Sequence, residues 1–135
     1  MDSLSQFTLG AAVGQVVLGP KLGRKAALIG GVAGSIPDLD SLFLQHLDMV
    51  SQLVYHRGFS HSLVFCVSAA VLCAYFSGKI SRKIVSIKRW IVFWFLAFLT
   101  HSILDCFTSW GTQLFWPHSY RVALHSIFII DPFYT

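Results

Sequence analysis

Apolar positions dominate the chain and fall into blocks divided by short polar stretches. Residues 4–18 form the first block, with Gly10 and Gly14 inside it. At about 15 residues it is shorter than the roughly 20 that a bilayer span needs, so it reads as a re-entrant, interfacial or tilted helix. Lys21, Arg24 and Lys25 follow it. Residues 26–36 form a second block containing Gly30, Gly31 and Gly34, and small residues let helices approach closely in a bilayer. Pro37 interrupts this block and leads into Asp38, Leu39 and Asp40. A short apolar piece, 42–44, then opens onto a polar loop, 45–58. Residues 59–77 are the clearest membrane helix, with about 19 residues and no charge apart from His61 near the start. After a connection at 78–89, residues 90–104 predict another helix. Its entry holds Trp90, Phe93, Trp94 and Phe95, as interfacial aromatic belts do, and its exit holds His101 and Asp105. Residues 106–125 read as loop and interfacial structure, and a further apolar run, 126–130, precedes Asp131 and Pro132. The pattern predicts an all-α, multi-pass membrane protein, a single membrane domain over 1–135, with three to four apolar helices.

Composition agrees with that reading. Of the 135 residues, 55% are hydrophobic and 12% charged, against about 25% charged in a soluble domain. This argues against a disordered chain, a coiled coil or an ordinary soluble enzyme. The net charge of +4 belongs with the cytoplasmic flanks of membrane helices. No aromatic-interleaved basic stripe is present, so no nucleic-acid partner is expected. The connection 78–89 carries Lys79, Arg82, Lys83, Lys88 and Arg89 and no acid, whereas 45–58 carries one basic residue, Arg57. The positive-inside rule then puts 78–89 and 20–25 in the cytoplasm. Three segments thereby deliver Asp38 with Asp40, His56 with His61, and His101 with Asp105 to the outer face. The three cysteines, Cys66, Cys73 and Cys106, show no CxxC or zinc-ribbon spacing and read as small packing residues.

The candidate chemistry lies in these polar residues. His101 and Asp105, four apart on a helix, face one point. His56 and His61 flank Arg57-Gly58-Phe59-Ser60, where Ser60 can cap a helix and Gly58 permits a turn that aims both histidines at one site. In extended backbone Asp38 and Asp40 would point to the same side. Paired carboxylates at a bilayer boundary repel, and a divalent cation removes that penalty. Asp131 is a fourth candidate carboxylate. Asp38, Asp40, Asp105 and Asp131 sum to −4, which two divalent ions would balance. Oxygen and imidazole donors suit Zn, Mn or Fe, and two such ions form a clamp suited to hydrolysis. Arg57 could bind an anionic group. Thr108, His118, Arg121 and His125 could line a cleft.

Taken together, Met1-Asp2-Ser3-Leu4, Gly10-Ala11-Ala12, Pro37-Asp38-Leu39-Asp40, His56-Arg57-Gly58-Phe59-Ser60-His61-Ser62, Thr100-His101-Ser102-Ile103-Leu104-Asp105, Trp116-Pro117 and Asp131-Pro132 resemble the predicted membrane-bound metal-dependent hydrolases of bacteria. Some members are inner-membrane proteins under SOS-repressor control. The resemblance covers essentially the whole chain. It implies a bacterial inner-membrane hydrolase holding divalent metal through Asp38, Asp40, His56, His61, His101 and Asp105, with Arg57 and Asp131 in catalytic roles. Relatives often have Glu or His in the first helix, where this chain has Gln6 and Gln15. They also continue beyond the Asp-Pro motif, so the chain reads as truncated at its C-terminus relative to the family.

The expectation is therefore a metal-dependent hydrolase acting at the outer membrane–water interface. Its substrate would be a small or lipid-like molecule, an ester or phosphoester of a membrane lipid or envelope component. The alternatives are a metal-binding transporter or sensor component, or an inactive fragment. In an ion pathway, ionisable residues would spread through the membrane depth. Here they gather at one face.

Overall fold

The computed structural model describes residues 3–40, 46, 48, 51, 55, 57–81 and 84–126, and among these the fold is all-helical. Helix α1 is Ser3–Leu22 and α2 is Lys25–Ser35, followed by a 3-10 turn at Ile36–Leu39. A second 3-10 turn, Phe59–His61, leads into α3, Leu63–Ser81, and then α4, Ile87–Cys106. An isolated antiparallel bridge, Thr112 to Val122, lies in the segment after α4.

Local chemistry sets these boundaries. Gly23 adopts φ +58°, a left-handed conformation, and its N–H donates to the Gly19 carbonyl at 2.9 Å. This is the helix-ending geometry that glycine adopts without steric cost. Helix α3 starts later than the hydropathy pattern predicts, because its cap is Ser62 and not Ser60. Ser62 has extended backbone, and its Oγ accepts from the Phe65 N–H at 3.1 Å. Ser86 caps α4 in the same way, accepting from the Arg89 N–H at 3.4 Å.

The helices form two antiparallel pairs. In the first, α1 and α2 meet backbone to backbone along Gly10, Gly14, Gly30 and Gly34. A Cβ on Gly14 would lie 2.7 Å from the Gly30 Cα, and one on Gly30 would lie 2.8 Å from the Gly14 Cα. In the second, Cys66 Sγ is 3.8 Å from Ser102 Oγ at one end of α3 and α4. At the other end Trp94 and Trp90 donate their indole N–H groups to Ser77 and Ser81 at 2.9 and 3.1 Å. Both α1 and α2 pack on α4, around Leu18, Ala26, Ala33, Ala74, Phe93 and Ala97.

Size sorting is inverted relative to a soluble bundle. On α3 the buried residues are Cys66, Ala70 and Ala74, while Val67, Val71, Leu72, Phe76 and Ile80 are exposed. Small residues inside and large apolar residues outside suit a lipid solvent. Among the described residues two helices, α3 and α4, are long and apolar enough to cross a membrane. That is fewer than the three to four expected from the sequence. Helix α2 has 11 residues, too short for a span. Helix α1 is long enough, but Gln6, Thr8, Gln15 and three glycines dilute its apolar character.

The pairing brings the start of α1, the end of α2, the start of α3 and the end of α4 together. Gly14→Val forces the α1–α2 backbones apart. It should lower stability by about 1–3 kcal/mol in detergent thermal unfolding. Leu72→Val on the lipid-facing side of α3 should change it by less than about 0.5 kcal/mol.

Candidate metal centre

Four side chains from three elements meet at that common end. Asp38 comes from the turn after α2, His61 from the turn before α3, and His101 and Asp105 from adjacent turns of α4. One donor atom from each lies within 4.8 Å of all the others. His61 Nε2 is 3.1 Å from His101 Nε2 and 3.1 Å from Asp105 Oδ2. His101 Nε2 is 3.3 Å from Asp38 Oδ1 and 3.9 Å from Asp105 Oδ2. Donors placed tetrahedrally around an ion at its usual bond length stand about 3.3–3.6 Å apart, so separations of 3.1–3.9 Å would need small side-chain shifts to hold a single ion. His61, His101 and Asp105 are buried. Asp38 keeps 26% of its side chain exposed and forms the open side.

Hydrogen bonds around the cluster orient the imidazoles. His101 Nδ1 lies 2.6 Å from the Gly34 carbonyl oxygen. A carbonyl only accepts, so Nδ1 carries a proton and Nε2 is the nitrogen turned to the cluster. Ser60 Oγ donates to Asp40 Oδ2 at 2.6 Å and lies 3.1 Å from His61 Nδ1. With its single hydrogen committed to Asp40, Ser60 accepts from His61 Nδ1–H, and His61 Nε2 also faces inward. Each histidine thus has the outer partner typical of a metal-ligating imidazole. The donor set of two imidazoles and two carboxylates fits a divalent ion such as Zn, Mn or Fe.

Gln6 also reaches the centre. It is 1% exposed and donates to Asp105 Oδ1 at 3.2 Å and, at the limit of bonding distance, to the His101 carbonyl at 3.5 Å. The sequence marked Gln6 only as a departure from relatives. Its position in the first turns of α1, with two helices between it and the helix of Asp105, gives no sign of this contact.

The remaining candidates lie elsewhere. Asp40 stands outside the four-residue group and acts on it through Ser60. Arg57 is 3% exposed and donates from Nη1 to Thr108 Oγ1 at 2.5 Å, while Thr108 Oγ1 donates to the Asp105 carbonyl at 2.7 Å. Its own carbonyl accepts from the Gln113 N–H at 3.0 Å. This guanidinium therefore sits at the carbonyl end of α4, where a cation is favoured. Burial, and then the neighbouring Arg57, hold the Arg121 guanidinium below its ordinary pKa. His118 and His125 are exposed. His56 and Asp131 lie outside the described residues. Residues 107–126 fold back over this end, with the Leu63 N–H donating to the Leu114 carbonyl and the Leu124 N–H to the Cys106 carbonyl.

An apolar helical bundle with a polar cluster at one end describes a class of small membrane proteins, and comparison with known proteins gives the family. The chain belongs to the family of the YdjM inner membrane protein, whose model matches residues 1–135. It is 32% identical over 108 residues to the inner membrane protein YbcI of Escherichia coli (strain K12), covering 80% of this chain and 59% of that protein. It is 31% identical over 145 aligned positions to the uncharacterized protein YfhP of Bacillus subtilis (strain 168), covering 98% of this chain and 42% of that protein. The chain thus spans about half the length of these curated relatives. No solved structure matches it.

The contacts of Arg57 generate a prediction. Arg57→Ala should cost about 1.5–3 kcal/mol in thermal unfolding, because a charged hydrogen bond beneath the centre is lost. Unchanged stability would mean that the Thr108 contact contributes nothing to the fold.

Proposed function

We propose that this protein is a membrane-embedded metal-dependent hydrolase whose divalent ion is held by Asp38, His61, His101 and Asp105. The observation that carries the reading is the convergence of four donor atoms within 4.8 Å, three of them on buried side chains, at one end of an apolar bundle. Two carboxylates balance the charge of one divalent ion. The two-ion arrangement expected from the sequence would draw on His56 and Asp131, outside the described residues, and the proposal is for one ion.

Bound there, a divalent ion supplies Lewis acidity toward a substrate oxygen and makes water easier to deprotonate. The chain's residues do the rest. His61 and His101 turn Nε2 toward the centre. Asp40, through Ser60, strengthens the basicity of His61. Gln6 restrains the Asp105 carboxylate. Asp38, on the open side, would hold the ion through one carboxylate oxygen, and its other oxygen would accept the proton of an attacking water.

Location supports a lipid-like ester or phosphoester as substrate. A cavity of about 330 Å³ adjoins the centre, lined by Ile36, Pro37, Phe59 and Phe65, with Asp40 and Ser60 at its polar edge. Its apolar wall suits an acyl chain. The basic residues beside the α1–α2 turn and the α3–α4 connection support a cytoplasmic placement of that end, with the centre on the outer face. The absence of charged residues from the middle of α3, between Leu63 and Gly78, favours a site at one face over an ion-transport pathway.

Metal analysis of the detergent-purified protein tests the centre. About one equivalent of divalent ion is expected per chain. His61→Ala/Asp105→Ala should lose nearly all of it, and Gln6→Ala should weaken retention about 10–100-fold. Unchanged metal content in the double variant would remove the proposal.

A further inference from the structure

At the opposite end of the bundle lies a cavity of about 600 Å³ that takes no part in the metal centre. It forms where the last turn of α1 meets the end of α3 and the connection into α4. Three cationic side chains line it: Lys21 from α1, Lys79 from α3 and Arg89 from the first turn of α4. Tyr75, Ile84 and Ile87 supply apolar wall, and no acidic residue is among its lining. Lys79 Nζ lies 4.5 Å from the centre of the Tyr75 ring, so the aromatic face holds the ammonium at the cavity. Arg89 Nη1 is buried and has no hydrogen-bond partner among the described residues. The capped N-terminus of α4, at Ser86, adds the positive end of a helix dipole.

Three cations around one cavity with no counter-charge among the described residues repel one another, and a buried guanidinium nitrogen with no acceptor among them is costly. A phosphate group relieves both. The membrane supplies such groups at this depth, because the cavity lies at the end of the two apolar spans where headgroups begin. Its apolar wall also continues from Tyr75 along α3 onto exposed Val71 and Leu72, toward the bilayer interior. We propose that this cavity seats the phosphate headgroup of an anionic phospholipid, whose acyl chains run along Tyr75, Val71 and Leu72. Lys21, Lys79 and Arg89 contact the phosphate, and the bound lipid ties α1 to the α3–α4 pair. This inference does not depend on the metal reading.

Native mass spectrometry of the full chain in detergent, titrated with phosphatidylglycerol or phosphatidylcholine, tests it. The unmodified protein should retain phosphatidylglycerol about tenfold or more tightly than phosphatidylcholine. Lys21→Gln/Lys79→Gln/Arg89→Gln should abolish that preference. Arg24→Gln/Lys25→Gln/Lys88→Gln removes the same charge from exposed positions and should keep it. Equal loss in both triple variants would reduce the effect to a diffuse basic field and overturn the assignment. Displacement of the lipid by millimolar inorganic phosphate would point to a soluble phosphate ligand and overturn it as well. If the first triple variant loses its helical circular dichroism, Arg89→Gln alone carries the test. Several-fold weaker retention is then expected, and unchanged retention contradicts the proposal.

Discussion

The hydrogen bond between His101 Nδ1 and the Gly34 carbonyl, 2.6 Å long, joins the two helix pairs. It puts a proton on His101 Nδ1 and so makes Nε2 the nitrogen that faces Asp38, His61 and Asp105. It forms because α2 can place its last turn against α4. That placement follows from the contact of Gly10 and Gly14 with Gly30 and Gly34, where any side chain would meet backbone. A glycine-lined contact is weak in water, where little apolar area is gained. In lipid, where apolar burial between helices gives little advantage, close backbone packing is a main source of association.

The same solvent accounts for the division of labour between the ends. On α3 the inward face is built from alanine and cysteine and the large apolar side chains face outward, while Leu18, Phe93 and Phe98 fill the bundle interior. Ionisable groups are then tolerated only near the ends. One end gathers carboxylates and imidazoles, each restrained by an outer partner: Gly34 for His101, Ser60 for His61, Gln6 for Asp105. The other end gathers lysine and arginine around a cavity. Opposite charge at opposite ends is consistent with a fixed orientation across the membrane.

Much of the centre was legible in the sequence. His101 and Asp105 share a helix face because their spacing is four, and the positive-inside argument brought Asp38 and His61 to the same end. What was not legible depended on backbone form or on distant contacts. The equivalence of Asp38 and Asp40 assumed extended backbone, but Pro37 begins the Ile36–Leu39 3-10 turn. At three residues per turn, positions two apart no longer share a side, and Asp40 turns to Ser60 instead. Ser60 was a reasonable helix cap by type, yet Ser62 takes that role and frees Ser60 for the histidine. Gln6 is distant in sequence from Asp105, and no local pattern encodes their contact. The sequence predicts three to four apolar helices, and among the described residues two are long and apolar enough to cross a membrane, because glycine and glutamine dilute α1 and α2 ends after 11 residues.

The central claim is that one ion is held by two imidazoles and two carboxylates. X-ray absorption at the edge of the bound metal, measured on the purified protein, tests it most directly. The account predicts a shell of nitrogen and oxygen neighbours at roughly 2.0–2.2 Å, with the outer scattering of two imidazole rings and no neighbouring metal. Sulfur in the first shell, a shell without imidazole, or a second metal at about 3.5–4 Å would contradict it.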